Sequence, residues 1–381
     1  MFSFKRRKRK YYMQKNVPIV LVLVLFLLGG AASGAPARET PLIRWPAVAG
    51  VNYSSDPETL LSTLVNFRMQ ADVPEINNRL VAIIASPGPY GLAGKTTAHA
   101  FKSLQPGQYG RVVILAPGHG PGFENCSIPA VDIFLTPLGP VPLDGAAIRT
   151  LMYSPLFQMH QIRYDGAKPH ERLHEYEFAI ESMLPYLQER LLEFKLVPVL
   201  VGDLRDPQGK TTENTMAAFA NAIKPIVDER TLIVVASSFT HYGEEYKNTP
   251  FTENIEDNIA HLDRQAFEEI LSLNLTGFRA YLKRSKNVID GQDCIQILMQ
   301  MLPPHTQARL LAYTTSGAVS GNWKSSVSYG SFVFHDLDAP ALSARPDQVR
   351  PLILRKPEKT AASAGEAPPA GGQGKTDTAV P

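Results

Sequence analysis

The chain has 381 residues, of which 44% are hydrophobic and 19% are charged, and its formal net charge at pH 7 is +2. Residues 1–37 hold seven Lys and Arg residues and no acidic residue, so residues 38–381 carry a net charge of −5. The positive charge therefore belongs to the N-terminal segment, which excludes a basic nucleic-acid-binding domain and predicts no DNA or RNA partner.

The N-terminal segment has the order of a targeting sequence. Six of the first ten residues are Lys or Arg, residues 17–28 are an uninterrupted apolar run, and small residues follow up to Ala37. This order predicts that residues 1–37 are a signal peptide. If the segment is not cleaved, residues 17–36 are long enough to anchor the chain in a membrane. Both alternatives predict an exported protein, either periplasmic or held outside the cytoplasm by a membrane anchor.

Residues 38–340 alternate short apolar runs with longer segments of helical period. The alternation predicts an α/β fold, with a doubly wound, mostly parallel sheet and helices on both faces. Near the C-terminus, residues 308–317 and 325–337 alternate in period two and predict an antiparallel pair at the sheet edge. The predicted parallel strands are 79–86, 111–117, 131–137, 194–202 and 231–238.

Two further features bear on the organisation of the chain. Residues 341–381 are predicted to be a disordered tail, since residues 355–381 hold Val380 as their one large aliphatic residue. Cys126 and Cys294 are the only cysteines. They are able to pair in an oxidising compartment, but two residues so far apart in sequence leave the pairing open.

Histidines follow two of the predicted strands. His119 stands in the Gly- and Pro-rich stretch after strand 111–117, and His241 follows strand 231–238. Ligands in open α/β sheets bind beyond the carboxyl ends of the strands. Two histidines at neighbouring strand ends indicate a metal or catalytic site, whereas one alone is more typical of a structural residue.

A series of motifs resembles the Memo family, whose bacterial members are called AmmeMemoRadiSam system protein B. The motifs include "RWPAVAGVNYSSDPETL" (44–60), "RVVILAPGHG" (111–120), "VVASSFTHYG" (234–243) and "SSVSYGSFVF" (325–334), and the resemblance covers nearly all of residues 44–335. It implies a fold similar to that of class III extradiol dioxygenases, with a metal site at the strand ends.

The resemblance also implies a set of metal ligands from which this chain departs. Pro87 stands where the family has a histidine ligand, and Asp290 stands where it has a cysteine. His119, His241 and Glu177 keep the family's residue type. His119 and Asp290 are thus the candidate metal ligands, while His241 and Glu177 are candidates for a catalytic base. Ser238 replaces the aspartate of the family's S-S-D-x-x-H. His170 and His174 are local alternative ligands, and Glu181 shares a predicted helix face with Glu177.

Two functions follow from this comparison. In the first, the metal site is degenerate, and the protein is a non-catalytic relative that binds a small molecule or a peptide in the strand-end cleft. In the alternative, His119 and Asp290, with His241, hold a divalent metal such as iron or copper in a dioxygenase-like or other oxidoreductase enzyme. The sequence favours the first function, because proline has no side-chain donor and several polar positions of the site have changed together.

Overall fold

The computed structural model describes residues 40–120, 122–160, 173–205 and 213–350. The predicted leader (1–37) and most of the predicted tail (351–381) lie outside these ranges, as does His170. No helix in the described ranges is both long enough and apolar enough to cross a membrane.

Twelve strands and ten α-helices make up the described part of the chain. The strands are β1 (Ile43–Arg44), β2 (Asn78–Ala85), β3 (Arg111–Pro117), β4 (Cys126–Pro129), β5 (Ile133–Thr136), β6 (Gly139–Pro142), β7 (Phe157–His160), β8 (Lys195–Val201), β9 (Thr231–Ala236), β10 (His241–Gly243), β11 (Thr306–Thr315) and β12 (Ser325–Pro340). The helices are α1 (Pro57–Gln70), α2 (Gly94–Lys102), α3 (Gly145–Leu151), α4 (Leu173–Tyr176), α5 (Ala179–Leu191), α6 (Glu213–Ile223), α7 (Ile255–Leu271), α8 (Leu275–Ser285), α9 (Gln292–Met301) and α10 (Ser316–Ser320).

Nine strands form one mixed sheet in the order β10-β12-β2-β9-β3-β8-β4-β7, and β11 pairs with β12. The central strands β2, β9, β3 and β8 are parallel, as the sequence predicts. The antiparallel pair β11 and β12 closes one side of the sheet, and β12 also pairs antiparallel with β2. The predicted α/β fold with an antiparallel C-terminal edge is therefore confirmed.

One predicted strand belongs to a different sheet. Residues 133–136 form β5, which pairs with β1 and β6 in a separate three-stranded sheet. Alternate residues of β5 are buried, whereas β3 and β9 are buried at nearly every position. A short apolar run in the sequence does not distinguish a strand buried on one face from a strand buried on both. The strands β4 and β7 of the main sheet are only four residues long, which is too short for their sequence pattern to predict them.

Helices cover both faces of the main sheet. Along β3, Val113 and Leu115 belong to one apolar cluster, and Val112 and Ile114 belong to the other. The first cluster includes residues of α6, α7, α8 and α9, and the second includes residues of α1, α2 and α5. Because successive strand residues point to opposite faces, each face of the sheet is buried under its own helical layer.

The chain continues beyond β12 along the surface of the domain. The backbone N–H of Arg345 donates to Pro106 O at 2.8 Å, and the Gln108 side chain donates to Leu342 O at 2.9 Å. The first residues of the predicted tail, 341–350, thus contact the turn that precedes β3.

Candidate functional site

The candidate site lies beyond the carboxyl ends of β3, β8 and β9. The aromatic ring of Phe123 lies against Gly118 and Gly202, the residues that follow β3 and β8. A Cβ atom on Gly118 would approach that ring to 2.6 Å, and one on Gly202 would approach the Phe123 carbonyl oxygen to 2.3 Å. Glycine is therefore required at both strand ends, since any side chain would displace Phe123 from the floor of the cleft.

His119 is held by carboxylates on both sides of its ring. Its backbone N–H donates to Glu177 Oε2 at 2.7 Å, and its Nδ1 lies 2.9 Å from Glu177 Oε1. Its Nε2 faces Asp290 Oδ2 at 3.4 Å, and Phe178 packs against the ring. Burial by itself lowers the pKa of His119, but the hydrogen bonds and charges of Asp290 and Glu177 outweigh it and raise the pKa to about 10. His119 is consequently an imidazolium cation at neutral pH.

Asp290 joins the loop before α9 to the end of β9. Its Oδ1 accepts hydrogen bonds from Ser238 N at 2.8 Å, Ser237 Oγ at 3.2 Å and Gly291 N at 2.6 Å. Its Oδ2 faces the two histidines, with His119 Nε2 at 3.4 Å and His241 Nε2 at 3.9 Å. The structure thus brings His119 and His241 together around one carboxylate oxygen of Asp290.

His241 is fixed by main-chain carbonyls. Its Nδ1 lies 2.8 Å from Phe239 O and 3.3 Å from Val288 O, and its backbone N–H donates to Val288 O at 3.0 Å. A carbonyl oxygen accepts but does not donate, so Nδ1 carries the proton. Nε2 points towards Asp290 Oδ2, so the hydrogen bonds at Nδ1 fix which edge of the ring faces the cleft.

A cavity of about 230 Å³ opens beside these residues. Pro117, Val201 and Phe123 form its apolar part, while Asp203, Asp290 and Asp293 supply carboxylates. Burial, and secondly the charge of Asp203, raise the pKa of Asp293 to about 6. The cavity therefore combines an apolar wall with an acidic one.

The arrangement does not fit a metal ion. Pro87 is buried and has no donor atom in its side chain. The ring nitrogens of His119 face carboxylates, with Nδ1 2.9 Å from Glu177 Oε1 and Nε2 3.4 Å from Asp290 Oδ2, so a metal ion at Nε2 would have to displace a proton held between His119 and Asp290. Within the ranges described above, no group of three or more His, Cys, Asp and Glu side chains is arranged to hold a metal ion.

His174 and Glu181, on either side of Glu177 in the chain, do not face the cleft. His174, an alternative ligand from the sequence, is buried and turned away from the cleft, with its Nε2 2.9 Å from Ser127 Oγ. Glu177 lies in the turn between α4 and α5 rather than on the helix, because α5 begins only at Ala179. Glu181 is in the first turn of α5, where it is fully buried and paired with Arg44.

The two cysteines are free and buried in the same apolar cluster, and Cys294 also lines the cavity. Burial raises the pKa of both thiols, with a smaller contribution from the charge of Asp293. Sequence reasoning did not single out Asp203 or Asp293. In the sequence, only their positions point to the site: Asp203 follows an apolar strand, and Asp293 lies three residues after Asp290.

The family model and the sequence relatives agree on one family. Residues 44–333 match the family described as Memo-like protein. Protein memo-1 homolog from Caenorhabditis elegans is 31% identical over 265 residues, which cover 66% of this chain and 71% of that protein. Protein MEMO1 from Xenopus laevis is 29% identical over 302 residues, covering 75% of this chain and 96% of the relative.

Human Protein MEMO1 is 29% identical over 264 residues, which cover 66% of this chain and 84% of that protein. Among solved structures, an uncharacterized protein from Escherichia coli K12 aligns with a TM-score of 0.40 and 12% identity, covering 66% of this chain and 99% of its own. Since the family match spans most of the chain and includes His119, His241 and Asp290, the chain belongs to the Memo-like protein family.

Proposed function

We propose that this domain binds a small ligand in the strand-end cleft without a resident metal ion, and that it has no metal-dependent activity. The observation that carries the proposal is the double engagement of His119 by Glu177 and Asp290. The positive charge of the imidazolium replaces the charge that a metal ion would supply to these carboxylates. Pro87 removes a further donor at the position where the family has a histidine.

The walls of the cavity indicate the chemistry of the ligand. Asp203 and Asp293 are acceptors, so they favour a ligand with amino or hydroxyl groups. Phe123 and Val201 favour an apolar portion beside those groups. A small organic amine has both features, and so does the amino group of a peptide with its neighbouring side chain. A cavity of about 230 Å³ favours the small molecule.

A thermal-shift screen of small amines and polyols on the full chain at pH 7.5 tests this proposal. A ligand that binds only the folded protein raises its melting temperature in proportion to its affinity. Gly122 lines the cavity, and a Cβ atom there meets no other atom within 4 Å, so Gly122→Trp places a bulky side chain at the cavity without a clash at its Cβ.

Gly120→Trp is the matched control, because Gly120 is equally open but is not among the cavity residues. We expect the shift to disappear in Gly122→Trp and to persist in Gly120→Trp. The proposal is wrong if no compound shifts the wild-type melting temperature, or if Gly122→Trp leaves the shift unchanged.

A metal-dependent oxidoreductase is the second candidate. It is favoured by the convergence of His119 Nε2 and His241 Nε2 on Asp290 Oδ2, at 3.4 and 3.9 Å. Iron or copper would require His119 to lose its proton, and it would have to be held by these three side chains. We expect iron(II) and copper(II) salts to leave the melting temperature unchanged at pH 7, whereas a shift that is lost in Asp290→Asn would favour this candidate.

We further propose that the protein acts outside the cytoplasm. Support comes from the basic residues, the apolar run and the small residues of segment 1–37. Cell fractionation with N-terminal sequencing tests the idea. A mature chain that begins near residue 38 indicates a cleaved signal peptide, an intact chain in the membrane fraction indicates an anchor at 17–36, and an intact chain in the cytoplasm contradicts export.

A further inference from the structure

Asp263 on α7 is a buried carboxylate that takes no part in the cleft itself. It is fully buried, and its Oδ1 accepts hydrogen bonds from Thr240 Oγ1 at 2.6 Å and from Thr240 N at 3.2 Å. Its Oδ2 accepts from Tyr313 OH at 2.7 Å. The backbone N–H is a donor and both hydroxyls are able to donate, so all three groups can donate to the Asp263 carboxylate, whose pKa is raised by burial.

The contacts of Asp263 extend to the two chain segments that carry the cleft residues. Thr240 immediately precedes His241, and Thr240 Oγ1 also accepts from Asn287 Nδ2 at 2.8 Å. Asn287 precedes Val288 and lies three residues before Asp290. A chain of two hydrogen bonds thus runs from Asp263 through Thr240 to Asn287, and it ties the end of β9 to the loop before α9.

Each of the two segments supplies a backbone carbonyl that accepts a hydrogen bond from the His241 ring. Phe239 O lies 2.8 Å from His241 Nδ1, and Val288 O lies 3.3 Å from it. Phe239 is the residue before Thr240, and Val288 is the residue after Asn287. Thr240 is thus adjacent to the residue that supplies one acceptor of the Nδ1 proton and is bonded to the neighbour of the residue that supplies the other.

We propose that Asp263 is a positioning residue of the cleft, which acts through Thr240 and Asn287 to hold the His241 ring with its Nδ1–H on the carbonyls of Phe239 and Val288 and its Nε2 facing Asp290. The inference rests on the proposed function and deepens it, because it specifies how the orientation of His241 beside the same cleft is fixed. It does not require that a ligand be known, since the tautomer is a property of the free protein. Asp263 is not among the residues that line the cavity, so its effect is on orientation alone.

The test is ¹⁵N NMR of histidine-labelled full-length protein without ligand, with the His241 signals assigned by their loss in His241→Gln. In the wild type we expect a single Nδ1–H tautomer. A wild-type spectrum with the proton on Nε2 would overturn the proposal, and this result does not depend on any other variant folding.

Thr240→Val removes the hydroxyl at nearly constant volume, while Thr240→Ser keeps it. We expect a mixture of tautomers in the valine variant and the wild-type tautomer in the serine variant. Thr136→Val removes another buried threonine hydroxyl, which lies in the small sheet and donates to Gln188 Oε1 on α5, and should leave the His241 signals unchanged. If Thr240→Val keeps a single Nδ1–H tautomer, or if Thr136→Val disturbs it equally, Asp263 has no positioning role.

Discussion

Glu177 and Glu181 lie four residues apart in the chain, yet they hold different parts of the molecule. Glu181 accepts from Arg44, from Ala47 N at 2.7 Å and from Val48 N at 3.1 Å, and it is completely buried. Glu177 instead holds His119 at the edge of the cavity. The first carboxylate anchors the N-terminal segment of the domain, whereas the second sets the charge of a side chain that ligands can reach.

Both glutamates are buried, so the comparison shows that the partner, rather than residue type, spacing or burial, separates a structural carboxylate from one in a site. The guanidinium of Arg44 also donates to His174 O at 3.0 Å and to Glu177 O at 2.6 Å. The anchor therefore supports the turn that carries Glu177. Changes to the anchor should affect the whole fold, and changes to the cleft should affect charge and pH dependence.

The largest effect is expected from Arg44→Met. The variant leaves Glu181 charged and buried without its cation, which should lower the free energy of unfolding by about 3–5 kcal/mol. Urea denaturation of the full chain measures the loss. Arg205→Met is the control, since Arg205 and its partner Asp203 are both exposed, and such pairs contribute about 0–1 kcal/mol. If both variants lose the same free energy of unfolding, the buried Arg44–Glu181 pair contributes no more to stability than the exposed Arg205–Asp203 pair.

A smaller and pH-dependent effect is expected from His119→Gln. The pKa of His119 is raised from 6.5 to about 10 in the folded protein, so its charge stabilises the fold fully below pH 6.5 and ceases to do so as the pH rises through about 10. Wild type should exceed the variant by about 2 kcal/mol at pH 6, and the difference should shrink towards pH 10.

Urea titrations at several pH values in this range measure that difference. His305→Gln serves as the control, because His305 is exposed and surface substitutions usually stay within about 0.5 kcal/mol. A His119 difference that is constant from pH 6 to pH 10 would contradict the imidazolium.

The smallest effect is a gain in stability from Asp293→Asn. Burial raises the pKa of Asp293 from 3.8 to about 6, so at higher pH the folded protein must hold a charge that burial disfavours. The neutral amide should add about 1 kcal/mol at pH 7.5 and close to nothing below pH 4. Asp290→Asn is the opposite case, since it removes a partner of His119, and it should destabilise the protein at pH 7.5.

The sequence predicts the sheet well because its central strands are apolar at nearly every position, a pattern typical of parallel strands buried on both faces. It predicts less of the site. His119, His241 and Asp290 follow from the motifs, but the i, i+4 spacing of Glu177 and Glu181 suggests a shared helix face that does not form, because α5 begins between them. Asp263 and Asp293 gain their importance from contacts with distant segments, which no local pattern contains.

The most direct test of the metal-free cleft is the metal content of the full chain, determined by mass spectrometry after purification without a metal-binding tag. His119→Ala is purified in parallel. We predict iron, copper and zinc well below one ion per chain in both proteins, because the His119 imidazolium occupies the place between Glu177 and Asp290. Near-stoichiometric metal in the wild type that is lost in His119→Ala would contradict this prediction and establish a metal centre.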